Sequence, residues 1–149
     1  MYRKFLSLIA VVLVLSIPGL VTCQEWITAN QVTVVWDPVT KFDNGDPIPS
    51  NNLIEYTVYL VRESDKEKVN PIELITVSST TYTITLGVEG KYYVGLQTVR
   101  HCSNGVDVTR SVIGWSDDPF IVADGMIFGV CYYLSPAGVS NLHPIAPSY

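Results

Sequence analysis

Histidine is almost absent: His101 and His143 are the only two in 149 residues, and His143 has no companion at metal-ligand spacing. There is no Gly-x-Ser-x-Gly elbow, no phosphate loop, no Cys-x-x-Cys and no His-Glu-x-x-His. The sequence therefore lacks the signatures of serine hydrolases, nucleotide enzymes, thiol oxidoreductases and zinc proteases. Basic residues are scarce, nine against fourteen acidic ones, and they form no cluster. An acidic surface repels phosphate backbones, so nucleic acid is excluded as an expected partner. No stretch carries a helical apolar stripe of useful length. No internal repeat or low-complexity tract is visible either, so one domain of ordinary size is expected.

What is present begins with an export pattern. Arg3 and Lys4 precede the apolar core Phe5–Ile17, and Pro18-Gly19 breaks it ahead of Leu20-Val21-Thr22-Cys23. The apolar stretch falls short of the ~20 residues that span a bilayer, so a cleaved leader over 1–23 is expected rather than an anchor. Two cleavage modes stand open. Val21 and Cys23 suit the −3 and −1 positions of an ordinary signal-peptidase site, the favoured mode. Leu20–Cys23 also resembles a bacterial lipobox, with Thr22 where a smaller residue is usual and Cys23 as the lipidated residue. Removal of residues 1–22 takes away two basic and no acidic residues, which moves the net charge from −5 to −7. It also leaves Cys102 and Cys131 as a pair, and in an oxidising compartment a disulfide between them is the expectation. Such a bridge would stabilise by roughly 3–4 kcal/mol.

From Gln31 onward the chain reads as short alternating strands. Gln31–Trp36 places Val32, Val34 and Trp36 on one face, and Asp37-Pro38 stops it because proline lacks a ladder donor. Lys41–Asn52, rich in Asp, Asn, Gly and Pro, is a loop. Leu53–Arg62, Pro71–Val77, Thr80–Leu86 and Tyr92–Arg100 follow as strands, separated by turn signals. The spacing predicts an all-β sandwich or barrel.

Several residues then carry a resemblance. Trp36 closing its strand, Gly45 in the following loop, Tyr56-Thr57-Val58, and Leu86 and Gly90 ahead of Tyr92-x-Val94-x-Leu96-x-Thr98 are similar to a fibronectin type III domain. So are Gly114-Trp115-Ser116 and Pro119-Phe120-Ile121-Val122, which resemble the approach to that family's last strand. The likeness covers about Val32 to Ala123 and implies an immunoglobulin-like β-sandwich over 24–123. It implies a core of Trp36, Tyr56, Leu86 and Tyr92, with the Tyr92 hydroxyl returning to backbone near Leu86. It also implies a non-catalytic binding or structural module, outside the cell or at its surface. The missing Asn-x-Ser/Thr acceptor points toward a bacterial source.

Two departures from that pattern stand out. The opening strand is nearly missing, since only Gln24–Asn30 follow Cys23. The connection His101–Ser116 is long, with a hairpin expected at Asn104-Gly105. After Ala123 comes a C-terminal extension, 124–149. It holds the apolar run Met126–Leu134, then Ser135-Pro136-Ala137-Gly138-Val139-Ser140-Asn141-Leu142, similar to a fibronectin type III opening strand. A tail this apolar is expected to pack on the domain. Covering of its own edge, giving a monomer, is favoured over exchange with a neighbouring molecule, because a short linker gives a high effective concentration.

The remaining polar groups have bland readings. His101 beside Cys102 suggests a nucleophile pair, but a loop histidine next to a disulfide is the simpler reading. Asp43, Asn44 and Asp46, with Asp37 or Glu55, could ligate calcium, yet a polar turn explains them. Asp117 and Asp118 point to opposite faces of a strand and read as turn caps. No metal, cofactor or catalytic residue is expected. Tyr59 and Tyr93 fall on the polar phase of their strands, and Trp115 sits at a loop end. They are either an interface for a protein or carbohydrate surface, or members of a cation–π ladder with Arg62, Arg100 or Arg110. An assembly subunit that exchanges a strand and an accessory domain of a carbohydrate-active system are the alternative functions.

Overall fold

The computed structural model describes residues 24–138 and residue 140. The export leader with Cys23, His143, and most of the Val139–Leu142 segment lie outside the described residues. Nine strands follow in order: β1 (Glu25–Thr28), β2 (Gln31–Val35), β3 (Leu53–Arg62), β4 (Ile72–Val77), β5 (Thr81–Thr85), β6 (Gly90–His101), β7 (Val108–Arg110), β8 (Gly114–Trp115) and β9 (Phe128–Tyr132). The larger sheet runs β1-β9-β6-β3-β4, and the smaller is β2-β5. Among the described residues the fold is all-β, as their β-branched and aromatic alternation dictates.

The two sheets share one apolar interior. Val58 and Leu60 from β3, Tyr92 and Val94 from β6 and Val130 from β9 meet Ile84 and Leu86 from the β5 side. Each set obeys the period of two, so the residues between them fall on the outer face. Tyr92 is buried, and its hydroxyl donates to Val88 O at 3.2 Å, two residues beyond Leu86. Trp36 packs edge-on against Tyr56, with ring centroids 5.5 Å apart. Leu86 is buried too but lies far from Trp36. It pairs with Asn30 at one end of β2, while Trp36 pairs with Thr80 at the other. The core expected around Trp36 is therefore divided between the two ends of the small sheet.

β6 organises the rest. β3 pairs along ten positions of one side, from Leu53↔His101 to Arg62↔Tyr92. The other side is shared in succession by β7, β8 and β9. The long connection after β6 is mostly this returning strand. Its turn is the hairpin expected at Asn104-Gly105: Gly105 has φ +70, and Cys102 N–H donates to Asp107 O at 2.8 Å.

Three expectations are corrected. An opening strand exists, but β1 leaves the small sheet alone and pairs in parallel with β9, Glu25↔Phe128 through Thr28↔Cys131. Pro119–Val122 is a turn, and the final strand is β9, which the sequence assigns to the tail beyond Ala123. Cys102 and Cys131 are both free. Cys131 pairs with Lys91 near the start of β6, whereas Cys102 follows its end. At ~3.3 Å per residue that separates them by roughly 35 Å, against the ~7 Å a disulfide tolerates. Cys131 instead lies 3.1 Å from Thr28 Oγ1, on β1.

Candidate functional site

The small sheet stops at Val35 and Thr81, while β6 and β8 continue beyond it. The interior is left open at that end, as an apolar groove of about 840 Å³. Val34 and Trp36 form one wall, and Leu96, Gly114 and Phe128 form the other. The segment between β8 and β9 supplies the rim, through Ile121, Val122 and Met126. Ile121 reaches this position because Gly114 has no side chain; a Cβ there would stand 3.0 Å from Ile121 Cγ2.

Around the rim, large apolar side chains face solvent. Val35 is 76% exposed and Ile121 and Met126 57% each, and Phe120, next to Ile121 in sequence, is 94% exposed. Such a cluster beside a groove differs from the scattered surface leucines that need no explanation. The segment that carries Phe120 is nevertheless firmly held at its base. Ser116, itself buried, accepts the Val94 N–H at Oγ (3.0 Å) and donates to Phe128 O (2.8 Å), and Phe128 N–H returns to Ser116 O (2.9 Å). Trp36 Nε1 is buried at the groove and finds no acceptor among the described residues.

Of the aromatics expected at an interface, Trp115 is among the residues lining the groove, whereas Tyr59 and Tyr93 lie elsewhere. Tyr59 and Tyr93 are on the outer face of the large sheet, as the alternation requires, but both are buried, at 8% and 9% exposure. Trp26 packs 5.5 Å from Tyr93, and Lys68 reaches across to sit 6.0 Å from the Tyr93 ring centroid. Lys68 then ion-pairs with Asp117 at 2.8 Å. Lys91 lies 4.7 Å from the Trp26 ring centroid. A cation–π arrangement is therefore present, with lysines in place of the expected arginines. Arg62 and Arg100 instead cover Tyr92 and Phe42, while Arg110 bonds Gln97 and Thr57. Trp115 is half-buried against Gly95, and Trp26 rests likewise on Gly129. The Tyr59 hydroxyl lies 3.1 Å from Gln97 Oε1 and 3.3 Å from Glu73 Oε2. Burial, reinforced by the Glu73 carboxylate, pushes the Tyr59 phenol above its ordinary pKa.

The polar candidates are engaged in structural contacts. His101 Nε2 contacts Glu55 Oε2 at 2.8 Å, on the neighbouring strand β3. Asn44 and Asp46 bond each other across an exposed turn at Gly45 (φ +88), and Asp118 caps Phe120 N–H at 2.9 Å. Among the described residues, no group of three His, Cys, Asp or Glu side chains is placed to hold a metal ion. Among them too, no helix is long and apolar enough to cross a membrane. Sequence reasoning missed the groove because its rim comes from residues assigned to a strand. The available signal was the proline and aspartates flanking Phe120, a turn composition around an apolar residue. Comparisons with family models, with curated proteins and with solved structures found no match to this chain.

Proposed function

We propose that this chain is an exported, non-catalytic module of the fibronectin type III class that binds a protein surface at the groove end of its two sheets. The strand order, the packing of Trp36 on Tyr56 and the Tyr92–Val88 hydrogen bond support the class. The leader pattern over residues 1–23 supports export. One observation carries the binding role: Phe120 stands 94% exposed next in sequence to Ile121, which lines the apolar groove, on a segment whose base is clamped by Ser116. A rigidly presented aromatic next to an apolar recess is the arrangement of a protein-contact anchor. A carbohydrate site would instead present aromatic faces with convergent polar groups, and Tyr59 and Tyr93 are committed to internal packing.

The test places a photo-reactive phenylalanine analogue at position 120 in the producing cells, with the same analogue at the exposed Val106 as control. A discrete protein adduct at 120, absent at 106 and lost on Met126→Asp, is expected. Identical adducts at both positions, or none, would remove the reading.

A further inference from the structure

The hydrogen-bond phase of β2 can be read from its two ends. Leu86 N–H donates to Asn30 O (2.8 Å) and Trp36 N–H to Thr80 O (3.0 Å), in the register that pairs Gln31 with Thr85 and Val35 with Thr81. Bonding alternates along an antiparallel ladder, so Val32 and Val34 are the residues that bond β5. The N–H and C=O groups of Gln31, Thr33 and Val35 therefore face the opposite edge. Among the described residues no strand pairs there.

Exposed edges are ordinarily blunted by charge, proline, a bulge or brevity. β4 carries Glu73 and sits beside a register shift, and β1 is four residues long with Glu25 at its start. β2 has none of these devices: Gln31-Val32-Thr33-Val34-Val35 is uncharged and pairs without a bulge. The partner strand β5 is uncharged as well, but its Ile84 is fully buried. On β2 the core-facing Val32 and Val34 remain half-buried.

We infer that a second copy of this chain pairs with this edge, β2 against β2, antiparallel about a two-fold axis at Thr33. The outcome is a continuous β5-β2-β2-β5 sheet, an isologous interface. Each Thr33 exchanges both main-chain bonds with its twin, and Gln31 does so with the partner's Val35. Val32 falls beside the partner's Val34 on the core side, which completes the burial of both. Asp37 lies opposite the partner's Ala29, so no like charges meet across the axis.

The chain's own tail is poorly placed for this edge. It leaves β9 at the Asn30 end of β2, where Ala29 N–H bonds Cys131 O, and Leu134 N–H turns to Glu89 on the β5–β6 connection. That connection lies on the β5 side of the small sheet, away from the free edge. From this end the tail would run parallel to β2, the weaker pairing per residue.

The inference is independent of the groove's partner and is tested separately, on the chain from residue 24 to 149. Thr33→Pro deletes an N–H that faces the free edge and spares those that bond β5. Thr83→Pro is the matched control, since it loses the same Thr33–Thr83 side-chain contact (2.8 Å) but alters the other edge. By sedimentation, the unsubstituted chain should dimerise, Thr33→Pro should weaken the dimer at least tenfold, and Thr83→Pro should leave it. If either proline variant fails to fold, oxidised Thr33→Cys should give a covalent dimer, because directly opposed residues of a bonded pair lie ~5.5 Å apart at Cα. Thr83→Cys should not. A chain monomeric at millimolar concentration overturns the inference. So does equal weakening by both prolines, or a dimer that survives Thr33→Pro and disappears with Leu142→Asp, which would assign association to the tail.

Discussion

The six-membered ring of the Trp115 indole lies directly over Gly95, in the space where any other residue would place its Cβ. The two are cross-strand partners between β8 and β6. Trp26 and Gly129 repeat the arrangement between β1 and β9. Tryptophan on glycine lets a bulky ring lie on the sheet without lifting the neighbouring strand, and it covers main chain that would otherwise be open to water.

Gly95→Ala should therefore destabilise by about 1–3 kcal/mol, the usual consequence of overpacking. Thermal unfolding checks this, and Gly87→Ala, where an added Cβ would meet only open space, is the reference. Trp115→Ala in the Gly95→Ala background should recover part of the loss, since the collision is removed.

Ser116→Ala leaves the Val94 N–H and the Phe128 carbonyl without their side-chain partner inside the fold. Unpartnered buried groups cost about 1–3 kcal/mol. The expected loss should appear in denaturant midpoints, with faster amide exchange at Val94 as its local signature.

Trp36 is half-buried, and its indole N–H makes no hydrogen bond among the described residues that substitution would remove. Trp36→Ala should cost about 2–3 kcal/mol, below the range for a fully buried aromatic. Trp36→Phe should cost much less, which separates ring packing on Tyr56 from the polar atom.

The two thiols should behave differently. Cys102 is half-buried at a hairpin and should react with a thiol reagent in the native protein, whereas Cys131 is buried and should react only on unfolding. Protection of both thiols until a reductant is added would contradict the free cysteines.

Tyr59 gives a pH dependence. Its folded-state pKa is raised, so its contribution is fully present below the ordinary tyrosine value of about 10 and is lost as the pH rises through the higher folded value. Tyr59→Phe should make the melting temperature less sensitive to pH in that alkaline window.

The strands from Gln31 to Arg100 are legible in the sequence because each keeps a period of two between turn residues. Leu53–Arg62 is matched end to end. β1 and β9 are not, for a physical reason. The four residues of β1 are too few to show periodicity, and their partner is more than 100 positions away in sequence. Pro119–Val122 resembles a strand entrance because β-branched residues are ambiguous until the neighbouring backbone is placed. Alternation puts Tyr59 and Tyr93 on the correct face. Tyr93 is covered by Lys68 and Trp26, and Tyr59 meets Glu73 and Gln97, all from other elements, which alternation within one strand cannot foretell.

The clamp of Ser116 on Phe128 separates two evolutionary fates within one stretch of chain. On the sheet side of that closure, substitutions are answerable to the ladder along β6. On the far side, the nine positions from Asp118 to Met126 hang from a neck that closes without their help, whereas Asp117 is tied to Lys68 and the Ile127 carbonyl accepts the Glu25 N–H. That stretch can be exchanged like a cassette, altered in length or content while the scaffold beneath keeps its pairing. A display scaffold needs just this property. New recognition surfaces could be installed between Asp117 and Ile127, provided that both ends of the neck stay in place.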